Sequence, residues 1–224
     1  MSSHHIIREK QEPALIIANG EACSMEILGQ LLEWSPTVVV LDGAIKRVLE
    51  LGIKIDVWLG DFDHLHEIDF DLINYPFEKV HTPDQEYTDL EKALMYLEEK
   101  GYPAANIVWA TGRRMDHTLN NFHSLKRMAD RIKMVMIDDY SVIYPLEKHF
   151  KKWYPQGTAL SIMPLGEAKG VYSKGLKYEL NNHSLALGQI TSSSNETVAD
   201  GFVEIWYESG MLMMMECVDG ESVN

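Results

Sequence analysis

The chain has 224 residues and a formal net charge of −14, from 20 Lys and Arg against 34 Asp and Glu. So acidic a chain is not expected to bind nucleic acid independently of sequence, because that function requires clustered cations that displace counterions from phosphates. Hydrophobic residues make up 46% of the sequence, enough for a buried core, and no apolar run reaches the roughly 18 residues of a membrane span. Cys23 and Cys217 form neither a disulfide framework nor a zinc motif, and residues 1–13 lack the apolar stretch of a signal peptide. We therefore expect a reduced, cytoplasmic protein with no membrane partner.

Up to about residue 138, short apolar runs alternate with helical patterns. The runs predict strands at 14–18, 37–41, 55–60, 78–82, 106–112 and 133–138. Between them, the patterns predict helices at 24–34, 43–51, 89–100 and 116–130. Several runs are apolar at consecutive positions, as in strands that are covered on both faces. Strands that alternate with helices indicate an α/β domain with a mostly parallel sheet.

The helix predicted at 89–100 has clear start and stop signals. Thr88 and Glu91 have the T-x-x-E spacing of a capping box, in which each residue satisfies an unpaired backbone N–H at the helix start. An apolar stripe follows on one face, and Gly101 ends the helix.

After about residue 140 the pattern changes. Short segments rich in β-branched, aromatic and Met residues are separated by Gly, Asn and Ser, and no good amphipathic helix is found. The segments predict strands at 140–146, 158–166, 170–180, 184–188, 201–208 and 211–217. This spacing predicts an antiparallel β domain, a sandwich or partial barrel. We place the boundary after Asp139, which gives an α/β domain at 1–139 and a β-sandwich domain at 140–224.

Acidic side chains follow four successive predicted strands. Ligands of open parallel sheets bind beyond the carboxyl ends of the strands, where these acids would meet. Such a rim of carboxylates can hold Mg²⁺, which keeps waters and phosphate oxygens among its ligands. Lys92, Arg113 and Arg114 bring the positive charge that a polyphosphate needs. The acids are Asp42, Asp61, Asp63, Asp84, Asp89 and Asp116.

Each acid also has a plain structural explanation, because Asp caps helices and tolerates turn geometry. Asp89, for example, suits a helix N-terminus through the helix dipole. The segment DHLHE (63–67) is a weaker candidate for a transition-metal site than for a solvated turn, and the Met-rich segment 211–215 reads better as a core strand than as a binding surface. The sequence contains no P-loop, no G-x-G-x-x-G and no G-x-S-x-G motif.

Six segments, in this order, resemble blocks of the thiamine pyrophosphokinase family. The resemblance runs from about residue 40 to the C-terminus, and its blocks lie in both halves of the chain. It implies an α/β N-terminal domain followed by a C-terminal antiparallel β-sandwich, the same division that the strand patterns predict. The segments are DGA (42–44), GDFD (60–63), TPDQEYTDLEKAL (82–94), RRMDHTLNN (113–121), KGLKYEL (174–180) and SSSNE (192–196).

The resemblance implies transfer of the pyrophosphoryl group of ATP to the hydroxyl of thiamine, giving thiamine diphosphate and AMP. Catalysis would consist mainly of positioning the reactants and neutralising phosphate charge with Mg²⁺ as the cofactor. By resemblance, Mg²⁺ is held by Asp61, Asp63 and Asp89, which form the catalytic set together with Asp116. The residues implied to face ATP are Asp42, Asp84, Thr88, Lys92 and Arg114.

The resemblance also assigns a purpose to the β domain. It implies a homodimer with the site at the interface, where the β domain contacts thiamine and an aromatic Tyr178 lies against the cationic thiazolium ring. An ordinary polar turn at 192–195 and a core aromatic at Tyr178 remain the structural alternatives. The residues implied to bind thiamine are Gln85, Asp116, Tyr178, Ser192, Ser194 and Asn195.

Four positions depart from the family pattern. Lys46 lies where the family's DGGAN segment ends, and His64 stands where a small hydroxyl residue is common. Arg113 replaces a glycine, and Tyr178 stands where some relatives have Trp. None of these changes removes a metal-binding acid, so they bear on nucleotide selectivity and on the shape of the pocket.

Two other classes of function compete with this interpretation. A Mg²⁺-dependent phosphohydrolase or nucleotidyl transferase would use the same acidic rim, but it would not account for the segments at 174–180 and 192–196. A non-catalytic sensor of thiamine or a nucleotide would tolerate loss of a metal-binding acid, yet Asp61, Asp63 and Asp89 are all present.

The substitution Asp63→Asn tests the metal assignment. We expect a severe loss of turnover with nearly unchanged folding, because the change removes one metal-binding charge and keeps the side-chain shape. Turnover with saturating substrates and a thermal unfolding curve would be measured together. Wild-type turnover in the variant would show that the metal assignment is wrong.

Overall fold

The computed structural model describes residues 13–62 and 75–218. The N-terminal part contains strands β1 (Ala14–Ile17), β2 (Val38–Leu41), β3 (Val57–Gly60), β4 (Glu78–His81), β5 (Ala104–Val108) and β6 (Lys133–Ile137). Its helices are α1 (Met25–Leu32), α2 (Ile45–Glu50), α3 (Asp89–Glu99) and α4 (Met115–Met128), with a short 3₁₀ turn, Asp42–Ala44, before α2. None of the helices in the described ranges is long and apolar enough to cross a membrane.

The first six strands form a parallel sheet in the order β4-β3-β2-β1-β5-β6. The chain builds outward from β1 to β4, then returns to the other side of β1 with β5 and β6. The strand order therefore reverses between β1 and β5, and in open α/β sheets a ligand crevice forms at that point. This confirms the prediction of an α/β part with a mostly parallel sheet.

Both faces of this sheet are covered by helices. Ile16 faces the apolar cluster that contains Leu94 of α3 and Leu125 of α4. Its neighbour Ile17 faces the opposite cluster, which contains Leu28 of α1. Successive strand residues point to opposite faces, and both faces are buried here. For this reason β1, β2 and β3 are apolar at nearly every position.

The C-terminal strands extend the same sheet with antiparallel pairs. β7 pairs with both β6 and β13, and β13 pairs with the long strand β9. A third apolar cluster lies between these strands and gives the part its sandwich-like form. The strands are β7 (Ser141–Pro145), β8 (His149–Tyr154), β9 (Ala159–Lys174), β10 (His183–Ala186), β11 (Ser192–Glu196), β12 (Gly201–Trp206) and β13 (Ser209–Cys217).

The strand content of this part differs in detail from the sequence prediction. The two strands expected around residue 166 are one strand, β9, which contains Gly166 and Gly170 with φ values of +97° and +62°. β8 was not predicted, because most of its residues are exposed and its apolar pattern is weak. The division after residue 139 stays a prediction, since the pairing of β6 with β7 carries one sheet across it.

The substitution Gly20→Ala tests how closely the ends of β1 and β5 must approach. An added Cβ at Gly20 would collide with the carbonyl oxygens of Trp109 and Thr111. We expect the free energy of unfolding to fall by about 2–4 kcal/mol, because rigid backbone would have to move. Urea unfolding measures this change.

Gly29→Ala is the matched control for this prediction. Gly29 lies in α1, and a Cβ added there would meet no other atom within 4 Å. The same substitution there is expected to stabilise the protein by roughly 0.5–1 kcal/mol through helix propensity. Equal effects of the two substitutions would contradict the proposed close approach.

Candidate active site

A cavity of about 440 Å³ lies at the carboxyl ends of the central parallel strands. Asn19 follows β1, Asp42 follows β2, Asp61 follows β3 and Gly112 follows β5, and all four line the cavity. The cavity therefore occupies the crevice where the strand order reverses, which is the place that this topology favours for a ligand.

Most of the predicted N-terminal site residues are brought together here. Asp61 and Asp89, two of the three acids predicted to bind metal, line the same cavity. The third, Asp63, lies outside the described residues, as does His64. The other predicted residues that line the cavity are Asp42, Gln85, Thr88, Lys92 and Arg114.

The start of α3 is fixed by the predicted capping box. The Thr88 hydroxyl accepts a hydrogen bond from the backbone N–H of Glu91 at 3.2 Å, and the Glu91 carboxylate accepts one from the N–H of Thr88 at 2.9 Å. Glu91 is buried and also pairs with Arg127 at 3.0 Å. These contacts hold Thr88 and Asp89 at the cavity wall, with the positive end of the helix dipole behind them.

Lys92 places a buried positive charge beside the acids. Its ammonium group donates to the carbonyl oxygen of Thr82 at 2.9 Å and lies 3.4 Å from the carboxylate of Asp89. The side chain is only 7% exposed. A buried ammonium group needs such partners, and they fix its position at the cavity wall.

The turn after β3 directs neighbouring side chains to different places. A Cβ at Gly60 would collide with the Cβ of Asp42, so only glycine lets the ends of β2 and β3 approach this closely. Asp61 then lines the cavity. Phe62 adopts φ +61°, and its ring packs 4.4 Å from that of Trp58 between centroids. The aromatic contact anchors the turn that presents Asp61.

The donor set of the cavity fits a hydrated magnesium ion. Asp42, Asp61 and Asp89 supply carboxylate oxygens to one cavity. Within residues 13–62 and 75–218, no three acidic, His or Cys side chains are close enough to form a complete metal site. Mg²⁺ commonly binds through one or two carboxylates and completes its shell with water and phosphate oxygens. The metal set of Asp61, Asp63 and Asp89 stays a prediction.

Two predicted acids lie away from the cavity lining. Asp116 forms a bidentate pair with Arg114 at 3.1 and 2.5 Å, and the hydrogen bonds from Arg114 hold its pKa below the ordinary value. Asp84 accepts a hydrogen bond from the backbone N–H of Glu86 at 2.6 Å, as in an Asx turn. The roles predicted for both residues stay predictions.

The predicted thiamine-contacting residues of the β part form a cluster of their own. The Asn195 side chain is buried, accepts from the backbone N–H of Tyr178 at 3.0 Å and donates to the Tyr178 carbonyl at 2.9 Å. It also donates to the hydroxyl of Ser192 at 3.1 Å, while the N–H of Ser194 donates to Ser161. Tyr178 is 62% exposed. None of Tyr178, Ser192, Ser194 and Asn195 lines the cavity of its own chain.

Comparison with known proteins gives the same assignment to both halves. The family model described as "Thiamin pyrophosphokinase, catalytic domain" matches residues 28–137, and "Thiamin pyrophosphokinase, vitamin B1 binding domain" matches residues 146–212. The thiamine pyrophosphokinase of Bacillus subtilis (strain 168) is 30% identical over 190 residues, which cover 80% of this chain and 86% of that protein. The chain belongs to the thiamine pyrophosphokinase family. The family resemblance and the expected α/β and β-sandwich fold class are thereby confirmed.

Further relatives agree with this family assignment. Thiamin pyrophosphokinase 1 of Caenorhabditis elegans is 29% identical over 208 residues, which cover 85% of this chain and 84% of that protein. The crystal structure of thiamine pyrophosphokinase from Bacillus subtilis matches with a TM-score of 0.76 at 25% identity, over 93% of this chain and 100% of that one. The chain is therefore an enzyme of this family, and the hydrolase and sensor alternatives are not favoured.

Sequence reasoning missed the part of this thiamine pyrophosphokinase site that follows β1. Asn19 and Gly20 line the cavity after β1, and Arg47 donates hydrogen bonds to both. Arg113 was predicted only as a nearby charge and as a departure from the family's glycine; it lines the cavity and donates to Asn19. The sequence did contain a signal for this part of the site. Asn19 and Gly20 directly follow an apolar strand, and ligands of open parallel sheets bind beyond the carboxyl ends of the strands.

The substitution Asn195→Asp tests whether this amide holds the Tyr178 segment. The carboxylate cannot donate to the Tyr178 carbonyl or to Ser192, so buried acceptors lose their partners. We expect the free energy of unfolding to fall by about 2–3 kcal/mol, measured by urea unfolding at neutral pH.

Asn181→Asp is the control for this prediction, because Asn181 is exposed. It carries the same chemical change and is expected to stay within about 0.5 kcal/mol of the wild type. An Asn195→Asp variant as stable as this control would contradict the anchoring role.

Proposed function

We propose that this enzyme transfers the pyrophosphoryl group of ATP to the hydroxyl of thiamine and releases AMP. The proposal rests on one observation. Asp42 after β2, Asp61 after β3 and Asp89 at the start of α3 line one cavity, together with the buried ammonium group of Lys92. This combination suits a metal-bound polyphosphate, because the acids take the metal while the cation takes phosphate oxygens. Both cysteines, Cys23 and Cys217, are free, which supports a reducing, cytoplasmic location.

In this proposal, Asp61, Asp63 and Asp89 hold Mg²⁺, with Asp42 and Asp84 nearby. The bound ion would neutralise phosphate charge during transfer. Thr88, Lys92 and Arg114 face ATP, and the first N–H groups of α3 add donors to the phosphate oxygens. Together, the metal-bound acids, the cations and the N–H donors would hold the polyphosphate in one orientation.

The chemical step needs alignment of three groups. The thiamine oxygen forms a bond to the β-phosphorus, the bond from that phosphorus to the α,β-bridging oxygen breaks, and AMP leaves with the electron pair. The hydroxyl proton passes to a base as the new bond forms. Asp116 is proposed to meet the aminopyrimidine or the hydroxyl of thiamine together with Gln85, which lines the cavity. Fixing these groups in line supplies most of the rate enhancement.

Thiamine is proposed to bind between two copies of the chain. Tyr178 and Asn195 do not line the cavity of their own chain, although Tyr178 is exposed and held by two backbone hydrogen bonds. A symmetric homodimer would bring the Tyr178 segment of one copy to the cavity of the other. The exposed ring would then lie against the thiazolium cation, an arrangement that a cation–π contact favours.

The reaction is tested by the nucleotide product. We expect thiamine-dependent AMP, with an equal amount of thiamine diphosphate, when the protein is mixed with ATP, Mg²⁺ and thiamine. Removal of the metal with EDTA should abolish both products, and added Mg²⁺ should restore them, because the acids would otherwise repel the phosphates. Products are measured by chromatography. ADP would indicate a γ-phosphate kinase, and a nucleotide product without thiamine would indicate a hydrolase; either result contradicts the proposal.

The shared site is tested by complementation between two inactive variants. Lys92→Met disables the cavity and Tyr178→Ala disables the thiamine contact, so each homodimer should be nearly inactive. Each mixed dimer contains one site with both residues intact and one with neither, so the isolated mixed dimer should have about half of wild-type activity. The two chains are co-expressed with different affinity tags, and the mixed dimer is isolated through both tags before assay.

The complementation result separates the two possible arrangements. If each site were built from one chain, every site in the mixed dimer would carry one defect and no activity would return. A dimer of two Lys92→Met chains that carry the two tags is the control for tag effects.

A further inference from the structure

Two arginine side chains converge on one amide at the point where the strand order reverses. Arg47 donates to the side-chain oxygen of Asn19 at 3.1 Å and to the carbonyl of Gly20 at 2.9 Å. Arg113 donates to the same Asn19 oxygen at 3.2 Å. We call Asn19, Arg47 and Arg113 the arginine corner. A neutral amide thus brings two cationic groups close together at the cavity wall.

Neither guanidinium of the arginine corner forms an ion pair with a carboxylate within the described ranges. The other arginines of these ranges each form an ion pair: Arg114 with Asp116, Arg127 with Glu91 and Arg131 with Glu98. Burial lowers the pKa of Arg47, and the charge of Arg113 lowers it further, whereas Glu21 opposes the shift more weakly. Two like charges without an ion-pair partner repel each other, and an anion bound between them would relieve this repulsion.

The fold holds Arg47 and Arg113 in this arrangement. The Arg47 guanidinium lies 4.6 Å from the ring centroid of buried Trp109, a cation–π contact that orients it. Arg113 adopts φ +53°, an uncommon backbone conformation for a residue other than glycine. Such strain is retained where the surrounding structure requires it, most often at functional sites.

The cavity extends from the arginine corner at the end of β1 to Asp61 at the end of β3, and Asp42 at the end of β2 lies between them. Asn19 follows β1 and Asp61 follows β3, two strands away, a separation of about 10 Å at the usual strand spacing. Asn19, Arg113 and Asp61 all line the one cavity. The acidic end needs a metal ion before it can accept phosphate, whereas the arginine corner can bind phosphate directly.

We propose that the arginine corner is a subsite for the α-phosphate of the nucleotide, the phosphate that leaves as AMP. Arg113 and Asn19 contact the phosphate, and Arg47 is a positioning residue that acts through Asn19. This inference rests on the proposed function, which places the transferred phosphates beside the acids. The α-phosphate then extends toward the arginine corner, where the Arg113 guanidinium stabilises the negative charge that grows as the bond breaks.

The substitution Asn19→Asp separates this role from a structural one. The carboxylate keeps the shape of the amide and can pair with both arginines, so thermal stability should be retained or raised. It also neutralises the corner and repels phosphate. We expect the affinity for AMP to fall roughly tenfold, about the value of one charge-assisted hydrogen bond. Calorimetric titration with AMP, without metal or thiamine, measures this change.

Three probes identify which phosphate is bound. Arg113→Gln should weaken AMP binding roughly tenfold, leave adenosine binding unchanged and affect inorganic pyrophosphate little. Arg131→Gln is the matched control, because it makes the same change at an exposed arginine that does not line the cavity, and it should not change AMP affinity. Loss of pyrophosphate binding with retained AMP binding would overturn the α-phosphate assignment.

A double-mutant cycle tests the positioning role of Arg47. Arg47→Gln should weaken AMP binding in the wild-type background but add little in the Asn19→Ala background, because its effect passes through that amide. Equal effects in the two backgrounds would overturn the role assigned to Arg47.

The failure of this subsite and the failure of the proposed function give different results. If the wild type makes thiamine-dependent AMP from ATP while Asn19→Asp and Arg113→Gln bind AMP as tightly as the wild type, only the subsite is overturned. If the wild type neither binds AMP nor produces it, the subsite and the proposed function are both overturned.

Discussion

The site is built on the close approach of β1 to β5 at their carboxyl ends. Gly20 donates its N–H to the carbonyl of Trp109, and no room remains for a side chain at this position. The chain leaves β1 and β5 here in opposite directions along the sheet, toward β2 and toward β6. That divergence opens the crevice, and the covered faces of the sheet keep its walls in place.

Positive charges gather at the cavity although the chain as a whole is acidic. The protein carries a net charge of −14, yet cations from separate elements gather at the cavity: Lys92 from α3, and Arg113 and Arg114 from the segment that leads into α4. Each position is supported by neighbouring contacts, such as the carbonyl of Thr82 for Lys92. Charged groups that are already in position need little reorganisation during a reaction. Their placement therefore matters more than the net charge of the protein.

Much of the fold followed from local patterns. The consecutive apolar residues of β1 to β3 predicted buried strands, since both faces of the sheet are covered by helices. The capping box at Thr88 and Glu91 predicted the start of α3, because its hydrogen bonds join residues only three positions apart. The β part was harder to predict. β8 is mostly exposed, and β9 continues through glycines that otherwise indicate turns, so the apolar pattern was weak or interrupted.

Neighbours along the chain were enough to predict the class of fold, the order of elements in the α/β part and the supply of acids at strand ends. The tertiary structure alone settled which residues share the cavity. It brought Asn19 to Arg47 and Arg113, across 28 and 94 positions of the sequence. It also kept Tyr178 out of the cavity of its own chain. Contacts between distant residues depend on strand order and on the paths between strands, and no local pattern of residues encodes these.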